Sequence, residues 1–358
     1  MTSLRILADD LTGALDCAAA FGAGVPVHLG RPAATAATAG LPVEIVATAT
    51  RDVPPGELPA LLAPSVEWLR GAGVAFKKVD SLLRGNTFHE ASWLAGQGGF
   101  EGIVFAPAFP AQGRVTEAGQ QWIVRPGEAR TPARAETIAQ VLGAQAGLWV
   151  PDVRSDAEMD AVAALALQPG AARRLWCGSA GLAHALARRM GVPSAGAAAA
   201  PVAGPPMLVS ASHHAVSREQ WRVLRGSRWA DQCHAGTDPA SLRREAAGYP
   251  RLIDLSPETL ITAGEAAALL ERQAALIARH APRPGALVVV GGDTLLALCR
   301  ALGAGGLRSA PALERPGWGS AQLVGGRWDG LVCHTRSGAF GGPGDLLDVM
   351  DALAAARA

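Results

Sequence analysis

Short apolar, β-branched runs alternate with longer Ala- and Leu-rich segments along this chain, the pattern of strands buried on both faces with helices laid over them. Leu4 to Ala8 reads as a strand, Asp9-Asp10-Leu11-Thr12-Gly13 as a turn, and Ala14 to Phe21 as a helix closed by Gly22-Ala23-Gly24. Further strands are predicted at Val25 to Leu29, Glu44 to Ala49, Val74 to Asp80, Gly102 to Ala106, Leu148 to Val153 and Leu175 to Cys177. Helices are expected at Pro59 to Gly71, Thr137 to Leu142, Ser155 to Leu167 and from Gly178-Ser179 to Met190. Ser155 with Glu158 has the spacing of a capping box. Residues 119 to 134 mix Trp, Arg and Pro without a period and receive no assignment.

Gly191 to Pro206 is rich in Ala, Gly and Pro and nearly uncharged, the composition of a linker. Beyond it strands are predicted at Met207 to Ser212, Leu252 to Leu255, Leu287 to Val290, Ala321 to Leu323 and Leu331 to Thr335. Helices follow at Ser217 to Arg225, Ala263 to His280, from Asp293 or Thr294 onward, and at Asp345 to Ala355. The whole pattern predicts an α/β protein of two domains with mainly parallel sheets, residues 1–190 and 207–358, joined by 191–206.

Composition narrows what such a molecule binds. A formal net charge of +1 with no Lys/Arg run argues against a nucleic-acid or anionic-membrane surface, so a small ligand is expected. No apolar run is long enough to span a bilayer, and Met1-Thr2-Ser3-Leu4-Arg5 leads into a strand rather than a signal-peptide core, so a cytoplasmic location is expected. The five cysteines lack a CxxC pair and the eight histidines lack HxxxH or HxH spacing, so neither a disulfide framework nor a metal held by the protein is expected.

Candidate chemistry collects at predicted strand ends, where open α/β sheets place ligands. Asp9 and Asp10 follow the first strand; one aspartate can be a helix cap, and the second is then unexplained. Arg51 follows the third. Lys78, Asp80, Ser81 and Arg84 are packed into seven residues at the end of the fourth, with Phe76, Lys78 and Asp80 expected on one side. Gln112 and Arg114 sit in a loop stiffened by Pro107 and Pro110. In the second half three loops stand at strand ends: Ser210 to His213, Gly291-Gly292-Asp293-Thr294, and Ser337 to Gly342 with Gly338 and Gly341. Glycines and a helix start in that setting suit a phosphate held by backbone N–H groups, and neither a Walker lysine motif nor GxGxxG is present.

With these residues laid out, the chain resembles the four-carbon acid sugar kinase family, which includes D-threonate, D-erythronate and 3-oxo-tetronate kinases. The matching stretches are ADDLTGA at Ala8 to Ala14, KKVDSLLRGN at Lys77 to Asn86, APAFPAQGR at Ala106 to Arg114, GSAGLA at Gly178 to Ala183, GGDT at Gly291 to Thr294 and SGAFGG at Ser337 to Gly342. They fall in the family's order along nearly the whole chain. The resemblance implies an active site in a cleft between two α/β domains, with the sugar acid on the first, ATP on the second and Mg²⁺ bridging the phosphates.

It also carries over substrate positions onto Asp10, Arg51, Lys78, Asp80 and Ser81, with Arg84 close by, and Arg114 of the matching APAFPAQGR stretch is expected to bind substrate with them. ATP positions fall on Ser210 or Ser212, on Gly291, Gly292, Asp293 and Thr294, and on Gly338 or Gly341. The implied reaction moves the γ-phosphoryl group of ATP to the terminal hydroxyl of a four-carbon sugar acid. Asp10 or Asp80 is then the base, Asp9 orients a partner, Arg51 and Lys78 hold the carboxylate, and Arg84 steadies charge at the phosphate. A sugar acid and ATP are the expected partners, and a homodimer is left open. Two other readings compete: a nucleotide-dependent dehydrogenase, for which the GxGxxG turn is missing, and a non-catalytic sugar-acid-binding protein, which predicts a secretion signal and no ATP affinity.

Overall fold

Strands made of Val, Ile, Leu and Ala on both faces can be satisfied only if helices cover each side of the sheet, and the chain forms two such layered units. The computed structural model describes residues 3–355 apart from 34–41, 169–172, 192–203, 244–249, 258, 260, 312, 314 and 316. It divides into Met1–Ala195 and Gly196–Ala358. Most of the expected linker, residues 192–203, lies outside the described residues.

The first unit contains β1 (Leu4–Ala8), α1 (Leu11–Ala20), β2 (Pro26–Leu29), β3 (Val43–Ala47), α2 (Leu58–Arg70), β4 (Val74–Lys78), α3 (Thr87–Gly98) and β5 (Gly102–Ala106). It continues with β6 (Arg114–Glu117), β7 (Gln120–Ile123), β8 (Thr131–Pro132), α4 (Ile138–Leu142), α5 (Asp156–Ala166), β9 (Arg174–Gly178) and α6 (Ala180–Arg189). Strand order is β2-β3-β1-β4-β9-β5, every pairing parallel. Every residue of β3, β4 and β5 is buried, as two-sided cover demands. Helix α6 packs on α1 and α5, whereas α3 packs on α2 and α4. One core joins Leu7, Val46 and Phe105 of the sheet to Leu62, Leu69 and Leu94 of α2 and α3.

Residues 114–132 form a separate three-stranded antiparallel sheet, β6-β7-β8; most of it lies in the stretch 119–134 that has no assignment from sequence, and Arg114, expected in a loop, opens β6. The strand expected at 148–153 is absent. Its backbone makes only isolated bridges, Trp149 to Val104 of β5 and Val153 to Thr116 of β6, so it touches each sheet at one residue and forms no ladder with either.

The second unit contains β10 (Met207–Ser210), α7 (Ala215–Arg225), β11 (Cys233–Ala235), α8 (Pro239–Arg243), β12 (Arg251–Asp254), α9 (Ala263–His280) and β13 (Leu287–Val290). After these come α10 (Gly292–Leu302), β14 (Gly306–Ser309), β15 (Gly319–Val324), β16 (Val332–Arg336) and α11 (Asp345–Ala355). The order β11-β12-β10-β13-β16 is parallel; β16-β15 and β15-β14 are antiparallel, a hairpin extension not legible beforehand. Trp221, Leu224, Val288, Val290, Leu346 and Met350 form its core.

Candidate active site

In the first unit the chain leaves β1 toward β2 and β3 on one side and reaches β4 on the other, so the carboxyl ends of β1 and β4 flank a topological switch point. Asp10 is the N-cap of α1, its Oδ1 accepting from the Gly13 N–H at 3.1 Å and its Oδ2 from the Thr12 hydroxyl. A capping role is therefore real, and it leaves Asp9 to be explained. Asp9 is buried and accepts two hydrogen bonds from Arg51, Nε at 2.9 Å and Nη2 at 3.0 Å; the same Nη2 reaches Asp10 Oδ1 at 2.8 Å. Asp80 Oδ1 is 3.8 Å from that guanidinium. Arg51 thus ties together carboxylates from two strand ends. Its main chain is fixed as well: Thr50 and Arg51 N–H groups donate to Asp9 O, and Asn86 N–H donates to Arg51 O.

Asp80 is held by its own loop, accepting from the Leu82 and Arg84 backbone N–H groups and from both Nε and Nη2 of Arg84, at 2.8 and 2.7 Å. Burial alone would raise its carboxyl, but the Arg84 hydrogen bonds and the charges of Arg51, Arg84 and Lys78 outweigh it and hold Asp80 far below the usual carboxylate range. Asp9 follows the same logic, burial being outweighed by Lys77, Arg51 and Lys78. Lys78 is buried, donates to Val79 O at 2.9 Å, and is kept charged against its own burial by Asp10 and Asp9. A Cβ on Gly13 would stand 2.4 Å from Asp10 Oδ1 and 2.8 Å from Lys78 Nζ, so only glycine lets these two groups approach the helix start.

Ala49 and Leu83, at φ of 58° and 60°, occupy the left-handed region in the two loops that carry Arg51 and Asp80. Non-glycine residues pay for that conformation, and such strain gathers where side chains must be aimed.

The expectation that Phe76, Lys78 and Asp80 share a side needs one refinement. Lys77, on the opposite face, is fully buried against Glu90 of α3 at 2.8 Å, and Glu90 also accepts from Thr50. Asp80 pairs with Arg84 rather than with a lysine. Ser81 is held through its backbone: Gln121 Nε2 of β7 donates to Ser81 O at 2.9 Å, while Gln121 Oε1 accepts from Thr116 of β6. Gln121, Lys77, Glu90 and Asn86 went unrecognised in the sequence. Lys77 carried a usable signal, since a lysine inside a strand buried on both faces requires a buried acid.

In the second unit the switch point lies between β10 and β13, with β16 next to β13. The three loops named above leave adjacent parallel strands there. Gly291, at φ 104°, is the N-cap of α10, and its N–H donates to Arg336 O. The helix begins at Gly292, one residue before the expected start, because glycine at 291 supplies the turn without a side-chain cap. Thr294 is buried and Asp293 exposed. Ser217 Oγ donates to Gly338 O at 2.7 Å, and a Cβ on Gly338 would fall 2.0 Å from Ser212 Oγ. Gly341, at φ 88°, packs against Arg336 and Asp345, themselves paired at 2.6 Å. Ser210 is buried with its Oγ near the Ser212 N–H at 3.4 Å, whereas Ser212 is partly exposed. A glycine-lined cradle at a helix start with a serine hydroxyl beside it fits a phosphate group.

Among the described residues no group of three or more His, Cys, Asp or Glu could hold a metal ion, and no helix is long and apolar enough to cross a membrane. Residues 4–136 match a family described as a sugar-binding N-terminal domain. A curated protein of Cupriavidus necator, named D-threonate kinase, is 27% identical over 99% of this chain and 99% of its own length. Among solved structures, a Salmonella typhimurium LT2 protein aligns over 98% of this chain and 99% of its own at TM-score 0.73 and 20% identity. Haemophilus influenzae protein HI1011 aligns over 97% and 99% at TM-score 0.68 and 17% identity. These two likenesses establish the fold.

Proposed function

We propose that this chain, as a member of the four-carbon acid sugar kinase family, transfers the γ-phosphoryl group of ATP to the terminal hydroxyl of a four-carbon sugar acid, D-threonate being one candidate because a relative is named for it. The observation that carries this reading is the convergence of Asp10, Arg51, Lys78 and Asp80 on one switch point, within the segment that matches a sugar-binding domain. A hydroxylated substrate needs acceptors and donors held in fixed positions for its hydroxyls, and this cluster offers both.

Phosphoryl transfer depends on positioning and on neutralising charge. Asp10 is the proposed base, because its carboxylate stands at the rim of the cluster while Asp9 is enclosed behind Arg51. Arg51, Lys78, Asp80 and Ser81 are the other substrate-contacting groups, and Arg84 lies beside them. The Gly291 to Thr294 turn, Gly338, Gly341 and Ser210 or Ser212 would hold the ATP phosphates through N–H and hydroxyl groups. Mg²⁺ bound to those phosphates would neutralise their charge, as it commonly does with few protein ligands. Five free cysteines agree with a reducing, cytoplasmic setting.

Coupled ADP detection with D-threonate, D-erythronate, L-threonate and 3-oxo-tetronates tests the reading directly. Asp10→Asn should cut kcat by about 100-fold or more while leaving Mg-ATP binding intact by calorimetry. ADP release that is independent of every sugar acid, or a variant of undiminished kcat, rejects it.

A further inference from the structure

The basic groups of the cluster differ in whether their charge is already answered. Arg51 is engaged by Asp9 and Asp10, Lys78 lies in the field of the same two carboxylates, and Arg84 is locked on Asp80. By count the three positive charges match the three aspartates, Arg51 and Arg84 through direct ion pairs and Lys78 at longer range, with its ammonium hydrogen-bonded to Val79 O. The Lys77 and Glu90 pair cancels separately.

Arg114 is left over. Among the described residues it has no carboxylate within ion-pair distance; its Nη1 donates only to the carbonyl of Gln112, and its Nε is buried without a partner. A buried guanidinium N–H that bonds to nothing is costly, and a planar fork of this kind can hold a carboxylate through two parallel hydrogen bonds.

Its place in the fold aims it at the cluster. Arg114 begins β6 directly after Gly113, whose φ of 69° turns the chain, and is held by backbone bonds to Phe109. Residues two apart on a strand share a face, so Arg114 lies on the side of Thr116, the side that reaches Ser81 through Gln121. Burial works against the charge of Arg114, Asp80 supports it and Arg125 and Arg84 oppose it, in keeping with its place on the strand face that reaches Ser81.

Resting on the kinase reading, we propose that Arg114 is the specificity residue that receives the substrate carboxylate, while Arg51 and Lys78 set the aspartates and meet the substrate at its hydroxyls. This assigns the carboxylate end of the sugar acid to the β6 side of the cluster and the hydroxyl end to Asp10. The role expected for Arg51 and Lys78 from the sequence moves accordingly, because their charge is spent within the protein.

The test compares a four-carbon sugar acid with the matching alditol, which has the hydroxyls and lacks the carboxylate, in the full chain. Arg114→Gln should lower the preference of kcat/KM for acid over alditol by about 100-fold, mainly through KM of the acid, and Arg114→Lys should recover part of it. Equal losses for acid and alditol, or an unchanged preference, overturn the assignment. Calorimetric titration of the acid without ATP separates the two claims. If the wild type binds the acid, Arg114→Gln does not, and no ADP is formed, the carboxylate site stands and the kinase reading falls. If the wild type binds no sugar acid, both fall; if Arg114→Gln binds as tightly as the wild type, the arginine assignment alone falls.

Discussion

Lys77 and Glu90 show what a single buried charge demands of its surroundings. Both side chains are inaccessible, and Thr50 adds a hydrogen bond to Glu90 that links α3 to the loop carrying Arg51. Lys77→Met should cost about 3–5 kcal/mol in urea unfolding, since it abandons a carboxylate in the core, and Lys77→Met with Glu90→Leu should recover most of that. A double variant no more stable than the single one would mean the pair contributes through something other than its charge. At this scale the sequence was most informative where polar residues interrupt apolar strands: Asp9, Asp10, Arg51, Lys78 and Asp80 were picked out and do lie together. What could not be read was partnership. Nothing in the spacing says that Arg51 would spend its fork on Asp9, or that Arg84 rather than Lys78 would take Asp80.

Elements with one strong period were legible, and those held by side-chain bonds were not. Strands β1, β4, β5 and β13 announce themselves as apolar runs between turn residues, and α5 carries the capping box expected from Ser155 and Glu158. Helix α3 escaped because Asn86, which would mark its start, turns its amide to Thr50 O and Val53 O instead of capping. The β6-β7-β8 sheet escaped because its strands are short and half exposed, and Gln121 bonds to other segments through its side chain. The glycine turn before α10 supports a sharper expectation. Gly291→Ala puts an L-residue at φ 104° and a Cβ 3.3 Å from Thr294 Oγ1, so the first N–H groups of α10 must shift. KM for ATP should rise about tenfold or more while sugar-acid affinity measured without ATP stays within experimental error. An unchanged ATP KM would remove this turn from the nucleotide site.

Across the whole chain, the two units lose stability to acid in different pH windows, and their acid stability should separate. In the second unit His334 of β16 is buried, shares a 2.7 Å hydrogen bond between its Nδ1 and Ser320 Oγ, and is pushed down by burial to about 4 from an ordinary 6.5. Between those two values the unfolded chain takes up a proton that the folded unit refuses. Stability of this unit is therefore complete above about pH 6.5 and declines as pH falls toward 4, by roughly 3 kcal/mol in all. In the first unit Asp9 and Asp80 are depressed, so their contribution is complete above the usual carboxylate range and is lost only as pH falls below it. Glu90, raised by burial, opposes that loss. Scanning calorimetry at pH 7 and at pH 4.5 should show the transition of the second unit moving to lower temperature ahead of the first. His334→Gln, which keeps a hydrogen-bonding partner for Ser320 and has no proton to gain, should flatten the decline between pH 6.5 and 4. A decline that persists in that variant would assign the acid sensitivity to a different group.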